Sequence, residues 1–512
     1  MKKSLSSILA LLLVAALLVA CGSPAAPSAP AADQPAASAP AGDAGGHPSG
    51  LEPYEIKWFM PNTVQPDQDM VAEAISELLT EKINATLQLN IIDWGNYDQR
   101  MSIMMAAGDE MDLIFTSNWS NDYATAVNKN AYIEITDDML QRLGPNILKG
   151  VPEKAWEAAK IGGKLYAIIN TQVLARTPGL ILQNQFVDKY NFNLSNVTKL
   201  EDMTPFYEQI RDNEPGIYPI EISTSRPLFT DYISRLNMEM FSEDNPAGIY
   251  IDDDSTTVIN IYDTPEARGL LALLRDWYQS GIIRSDAPTY TDFSADRAAQ
   301  RTATLVNVIN PDTVANMSSQ FNLRPDEMQA ITFSEPYMST SAIIATMTGI
   351  SVTSKDPERC VMLYNILYDE EDTKIFNMLS YGIEGVHFEL NGDVATQIPN
   401  TGYWLVSGWE YGNMFNSYRQ SEDQPPWFPT GPDINNSAIA SKILGFSFNP
   451  EPVRSELAQT QAVMDEFRGG LFTGAVDPDV VLPEFLAKLE VAGSQKIIDE
   501  AQRQINEWKA SR

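Results

Sequence analysis

From Tyr54 onward, the spacing of apolar side chains switches repeatedly between the period of a strand and that of a helix. Glu55 to Met60 reads as a strand ended by Pro61-Asn62, and Met70, Val71, Ala74, Ile75, Leu78 and Leu79 then fall on one helical face. Leu87, Leu89 and Ile91 alternate as in a strand, Asn96 to Ala107 is helical up to Gly108, and Asp112 to Thr116 is a short apolar strand. This βαβαβ order predicts a parallel sheet with right-handed crossovers, whose strands end at a crevice where open α/β sheets bind ligands. The loops expected there carry Pro61-Asn62, Asp93-Trp94-Gly95-Asn96 and Ser117-Asn118-Trp119. Amides donate and accept hydrogen bonds, and an indole face covers the apolar face of a sugar, so the set suits a neutral polyhydroxylated ligand.

Further along, Glu201 to Phe206 starts an amphipathic helix, Pro215 to Tyr218 ends it, and a strand from Pro219 to Ser223 leads into the loop Ser223-Thr224-Ser225-Arg226-Pro227. Asp252-Asp253-Asp254-Ser255 lacks the alternation and the terminal glutamate of an EF-hand loop, and reads as a turn between Ile249-Tyr250-Ile251 and Val258-Ile259-Asn260. Asp263-Thr264-Pro265-Glu266 carries a capping side chain and a proline in the first turn of a helix that runs toward Trp277 and stops near Gly281.

The two ends of the pattern differ from the middle. Lys2 and Lys3 precede an apolar run from Ile8 to Val19, too short for a bilayer core needing about 20 residues, so residues 1–20 are expected to be a signal peptide. Residues 21–51 are mostly Ala, Pro, Ser and Gly without apolar periodicity, and predict a flexible tether. The rest of the chain exceeds the roughly 250–300 residues that one core supports, so two lobes are expected.

Composition removes several classes of function. With 35 basic and 68 acidic residues the net charge is −33, which opposes nucleic acid and anionic lipid. The two histidines are His47, in the tether, and His387, so a zinc site built from several histidines is excluded in the folded part and a Ser-His-Asp triad would have to use His387. Carboxylate pairs are too common here to mean anything by chance occurrence. No catalytic residue, metal ligand or cofactor is therefore assigned. Once Cys21 is set aside, Cys360 stands alone and no intramolecular disulfide is possible.

Several segments carry a family resemblance. Leu18-Val19-Ala20-Cys21 resembles a bacterial lipobox, which implies lipidation of Cys21 after cleavage. Gly162-Gly163-Lys164-Leu165-Tyr166-Ala167-Ile168-Ile169-Asn170 resembles the Gly-Lys-x-Tyr-Ala-Ile-Pro strand of the extracellular solute-binding proteins of ATP-binding-cassette (ABC) importers, with Ile169 in place of the proline. Gly179 to Tyr190 is similar to the strand and helix that follow, departing at Gln183-Asn184, and Thr302 to Val308 resembles the second crossing strand. Tyr381 to Phe388, Trp409 to Asn413, Gly445 to Phe448 and Gly474 to Pro478 resemble, in order, the C-terminal region of a lipoprotein subgroup, mostly Gram-positive, with a C-terminal domain of unknown function.

That resemblance implies an α/β, two-lobed periplasmic-binding-protein-like fold of type II with a hinge of crossing strands. The implied lobes are 52–168 plus 304–352, and 169–303 plus 353–512. It implies a monomer, held by lipid at the extracellular face of the membrane, that closes over a carbohydrate and delivers it to ABC permease subunits. The expected ligand-binding residues are Asn62, Trp94, Asn118, Trp119, Asn170, Ser225, Arg226 and Trp409, with Trp427 a weaker candidate. A peptide or amino-acid-derivative receptor using Arg226 against a carboxylate is the alternative, and a surface glycoside hydrolase a third.

Overall fold

A computed structural model describes residues 50–224, 228–242 and 245–512. Ser225, Arg226 and Cys21, the expected lipidation site, lie outside the described residues. Among the described residues no helix is long and apolar enough to cross a membrane.

The first sheet has five strands in the order Ala85–Ile92, Tyr54–Pro61, Leu113–Thr116, Met347–Ile350, Ala167–Ile169. Its first three strands are parallel and Met347–Ile350 runs antiparallel to both of its neighbours. Helix Gln68–Ile83 makes one crossover, turning Val71, Ile75 and Leu79 inward as their spacing requires. Helix Trp94–Ala107 makes the other and starts at the indole itself, because Asp93 caps it by accepting from Gly95 N at 3.1 Å.

A second sheet is antiparallel around Pro178–Gln183, flanked by Thr304–Val308 and Met328–Thr332. A third is a meander of Met238–Met240, Ala247–Tyr250 and Ile259–Asn260, in whose connecting turn the Asp253 carboxylate accepts from Ser255 N. Helix Pro265–Ser280 starts where expected, Thr264 Oγ accepting from Ala267 N at 3.1 Å, and stops at Gly281, which takes the left-handed backbone (φ 80°).

Two separate buried cores divide the body into lobes. One surrounds the first sheet, and another lies between the second sheet and helices that include Pro265–Ser280, Arg454–Leu471 and Pro478–Ala492. Three segments leave the first core. Ala175, Met338 and Ala438 belong to it, whereas Leu180 and Phe333 belong to the second, and Ile443 to a smaller cluster under the meander. The three lie side by side: Arg176 bridges Tyr337 antiparallel, and Tyr337–Met338 pairs in parallel with Ile439–Ala440. Three short hydrogen-bonded segments between two cores make a hinge.

This pairing corrects the expected lobe boundaries. Thr304–Val308, assigned to the first lobe with 304–352, pairs with Pro178–Gln183 in the second sheet, as does Met328–Thr332. Helices Pro357–Leu367 and Lys374–Tyr381, assigned to the second lobe, pack in the first core. Buried Arg359 ties the former there by donating to the carbonyls of Ile83 (2.7 Å) and Asn84 (2.8 Å). An apolar strand satisfies either sheet equally, and only its long-range partners decide between them.

Close packing makes one glycine of the second sheet testable. A Cβ on Gly179, in the central strand, would lie 2.1 Å from the Ile331 carbonyl oxygen across the ladder. Gly179→Ala is expected to cost about 1–3 kcal/mol in urea unfolding, the range of overpacked cores. Gly269→Ala, on the exposed side of helix Pro265–Ser280 with nothing within 4 Å of its Cβ, is expected to be neutral or stabilising by up to about 1 kcal/mol.

Candidate functional site

The loops at the carboxyl ends of the parallel strands bring three indoles together. Trp94 lies 5.6 Å from Trp119 and 5.9 Å from Trp409 between ring centroids, with interplanar angles of 26° and 13°, and Trp119 lies 6.3 Å from Trp409. Three similar spacings form a triangle, so the rings cluster side by side instead of stacking in a column. Each meets the ring of buried Phe115 steeply, at 63–85°. Trp119 is 52% exposed and Trp94 38%, with Trp409 half-buried, so the cluster offers ring surface outward.

The cluster is held from behind. Trp119 Nε1 donates to the Ala345 carbonyl at 2.8 Å and Asn118 Nδ2 to that of Ser341 at 3.1 Å, which pins their loop to the segment after the hinge. Asp98, on the helix that Trp94 begins, accepts from Ser120 Oγ (2.6 Å) and Asn121 N (2.9 Å) of the same loop. Trp94 and Trp119 therefore move as one unit.

Asn62 and Asn170 do not face the cleft as expected of ligand contacts. Asn62 is buried and its donors are used, Nδ2 reaching Ser407 Oγ and Glu410 Oε1, both at 2.8 Å. Asn170 is 0% exposed and donates to the Glu410 carbonyl at 2.6 Å. Both amides thus anchor residues 407–410 to the first sheet, and so position Trp409. A buried acceptor recruits them more strongly than a solvent-filled cleft would. Trp427, the weaker candidate, is buried against Phe415 at 5.8 Å.

With Trp119 in its wall, a cavity of about 510 Å³ opens between Asn118 and Trp119 of the first lobe and the helix end and strand of the second that carry Thr230, Ser234 and Glu239. Glu239 was missed from sequence. It is a lone charge between Met238 and Met240, and nothing in that pattern marks it as facing a cleft. Its Oε2 accepts from Ser441 Oγ at 2.6 Å and from the Tyr337 hydroxyl, so it caps two of the three hinge segments. Its Oε1 has no protein partner among the described residues. Burial pushes its carboxyl above the usual range, against these two hydrogen bonds. Arg176, on the third hinge segment, also lines the cavity, and its guanidinium makes no ion pair or hydrogen bond among the described residues. An acceptor, an uncommitted cationic donor and hydroxyls around an aromatic wall are the groups that hydrogen-bond sugar diols.

His387 is wholly buried away from this cleft. Its Nδ1 accepts from Ile383 N at 2.9 Å and its Nε2 lies 3.3 Å from Asp67 Oδ2, so neither ring nitrogen is left for a nucleophile. Among the described residues no cluster of three or more His, Cys, Asp or Glu side chains is placed to hold a metal ion.

Two lobes with separate cores, three hinge segments and an aromatic cleft between them define the fold of the two-lobed solute-binding proteins. Residues 442–510 match a family described as a domain of unknown function, DUF3502. A carbohydrate ABC transporter substrate-binding protein of Streptococcus pneumoniae serotype 4 is 27% identical over 460 residues, spanning 87% of this chain and 89% of that one. The crystal structure of an N-glycan transport solute binding protein from S. pneumoniae superposes with a TM-score of 0.75 at 24% identity, covering 89% of this chain and 99% of that one. The complex of that protein with Man5GlcNAc covers 89% and 98%, at 24% identity and a TM-score of 0.63.

Glu410, beneath the indoles, gives the site a pH signature. It is 1% exposed, and burial holds its carboxyl well above the usual carboxylate range despite the hydrogen bonds from Asn62 and Ser407. The folded protein thus keeps a proton that the unfolded chain releases near pH 4.3. The stability from this group is complete below that pH and declines as pH rises toward the folded value, by up to about 1.4 kcal/mol per pH unit. Glu410→Gln removes the titration. Urea unfolding between roughly pH 5 and 7 should show the variant gaining steadily on the native protein, and parallel pH profiles would contradict this assignment.

Proposed function

We propose that the protein is the solute-binding component of an ABC importer, which captures an oligosaccharide between its lobes and hands it to membrane permease subunits. The observation that carries this reading is the cluster of Trp94, Trp119 and Trp409 beside a cleft whose polar groups are hydroxyls, an amide, Glu239 and Arg176. An indole face covers the apolar face of a pyranose, and directed polar groups then select among its hydroxyls. The carbohydrate substrate-binding relative and the N-glycan transport relative support the same ligand class.

Within this reading Trp94, Trp119 and Trp409 are the platforms and Asn118, Glu239, Tyr337 and Arg176 the polar contacts, with Ser225 and Arg226 proposed as further contacts from the sequence alone. Binding is noncovalent and the protein performs no catalysis, which fits a His387 with both ring nitrogens engaged. The mature chain is anchored by a lipid on Cys21 at the extracellular face of the membrane, acts as a monomer and needs no cofactor or metal.

Closure requires the ligand to contact the closed state better than the open one. Trp119 is half exposed and contributes little to the core, so Trp119→Ala should leave the melting temperature nearly unchanged. Covering such a ring contributes about 1.5–3 kcal/mol, so calorimetric titration with the best-bound glycan of a defined array should show affinity falling at least tenfold. Unaltered affinity would remove the indole platform from the site, and an array without any bound glycan would overturn the carbohydrate reading.

A further inference from the structure

The cleft does not end at the first cavity. A second one, of about 360 Å³, shares Asn118, Glu239, Met240, Ser242 and Ser341 with it. Its far wall comes from Ile443, Phe446, Phe448 and Arg454, all within the segment that matches the domain of unknown function. A third, of about 770 Å³, shares Phe446 and Ser447 with the second and lies between Trp508 of the same segment and the Gly162-Gly163 turn of the first lobe. Each exceeds the roughly 300 Å³ at which small-molecule sites begin. Successive cavities with shared walls describe a groove longer than one sugar unit needs.

The far end repeats the chemistry of the near end. Phe446 packs edge-on against Trp508 at 6.1 Å, and Phe241 of the second lobe packs against Phe446 at 5.6 Å and stacks on Phe448 at 6.1 Å. Trp508 is half-buried and Ser447 exposed. The charges around them balance as three cations against three carboxylates: Arg512 (2.6 Å) and Lys160 (2.7 Å) both reach Glu157, and Arg503 reaches Glu500 (2.6 Å) and Glu507. Arg512 lies over one face of Trp508, 4.5 Å from the ring centroid, so what remains for a ligand is the rest of that ring with hydroxyls and amides, which suits a neutral saccharide over an anion. On the first-lobe side, Gly162 and Gly163 take positive φ (59° and 79°), and a Cβ on either would meet nothing within 4 Å, so the turn presents bare backbone to open space. The C-terminal segment also touches the first lobe here, since a Cβ on Gly445 would lie 2.9 Å from the Glu157 carbonyl oxygen.

We infer that residues 442–510 build a distal saccharide subsite, centred on Trp508 and Phe446, that receives the end of an oligosaccharide whose other end lies on the indole cluster. The inference rests on the oligosaccharide reading above and assigns the C-terminal domain a role within it: it sets the length of chain the protein accepts.

The test is calorimetric titration of the full chain with a ladder of defined oligosaccharides, from disaccharides upward, in the series best bound on a glycan array. Two variants are compared with the native protein. Trp508→Ala removes the distal ring, and Ser447→Trp blocks the exposed passage between the second and third cavities without touching a core. The native protein should bind the long members at least tenfold more tightly than the short ones. Both variants should lose that gain while their dissociation constants for the shortest member stay within twofold of the native value. Should melting show Trp508→Ala unfolded, Ser447→Trp alone decides. A native protein that binds short glycans with no gain from length, or variants that keep the gain, would overturn the distal subsite and leave the proposed function standing. Absence of binding to any member would sink both.

Discussion

The site depends on one buried junction. Residues 407–410 form a short turn with no sheet strand of their own, yet they must present Trp409 beside rings that come from the first sheet. Two side-chain amides do this: Asn62 reaches the Ser407 hydroxyl and the Glu410 carboxyl, and Asn170 the Glu410 carbonyl. A buried hydrogen bond is worth about 0.5–1.5 kcal/mol net when made, but leaving a buried partner unsatisfied costs about 1–3 kcal/mol. The turn is therefore specified by the penalty of misplacing it. Burial of Glu410 in this junction holds its carboxyl well above the usual carboxylate range, against the hydrogen bonds from Asn62 and Ser407.

The same economy explains the hinge. Arg176, Tyr337–Met338 and Ile439–Ala440 are the links where the chain passes between the first core and the cores of the second lobe. Glu239 of the second lobe accepts hydrogen bonds from the Tyr337 and Ser441 side chains, which join two of these links to the cleft wall. A solute contacting Glu239 and Arg176 would touch the hinge and the cleft together. Binding energy spent there acts directly on the element that changes between open and closed forms.

Local signals are legible in both lobes. Val71, Ile75 and Leu79 announce their helix by spacing, Thr264-Pro265 and Gly281 announce both ends of another, and the crevice loops announce Trp94 and Trp119 because parallel strands end there. What sequence could not show was partnership across long separations. Asn62 and Glu410 are 348 residues apart, and an amide in a crevice loop looks the same whether it meets a sugar or a buried carboxyl. Thr304–Val308 is apolar enough for either sheet, and its edge pairing with Pro178–Gln183 leaves no periodic trace. Glu239 escaped for a related reason: one charge between two methionines reads as the solvent face of a strand.

The proposed function requires the two bodies to close over a saccharide. Small-angle X-ray scattering of the full chain, recorded without ligand and then at saturation with its best-bound oligosaccharide, tests this most directly. The radius of gyration should fall on saturation, with the profile shifting from an open to a closed two-lobed body. Profiles that superpose despite calorimetrically proven binding would contradict capture by closure.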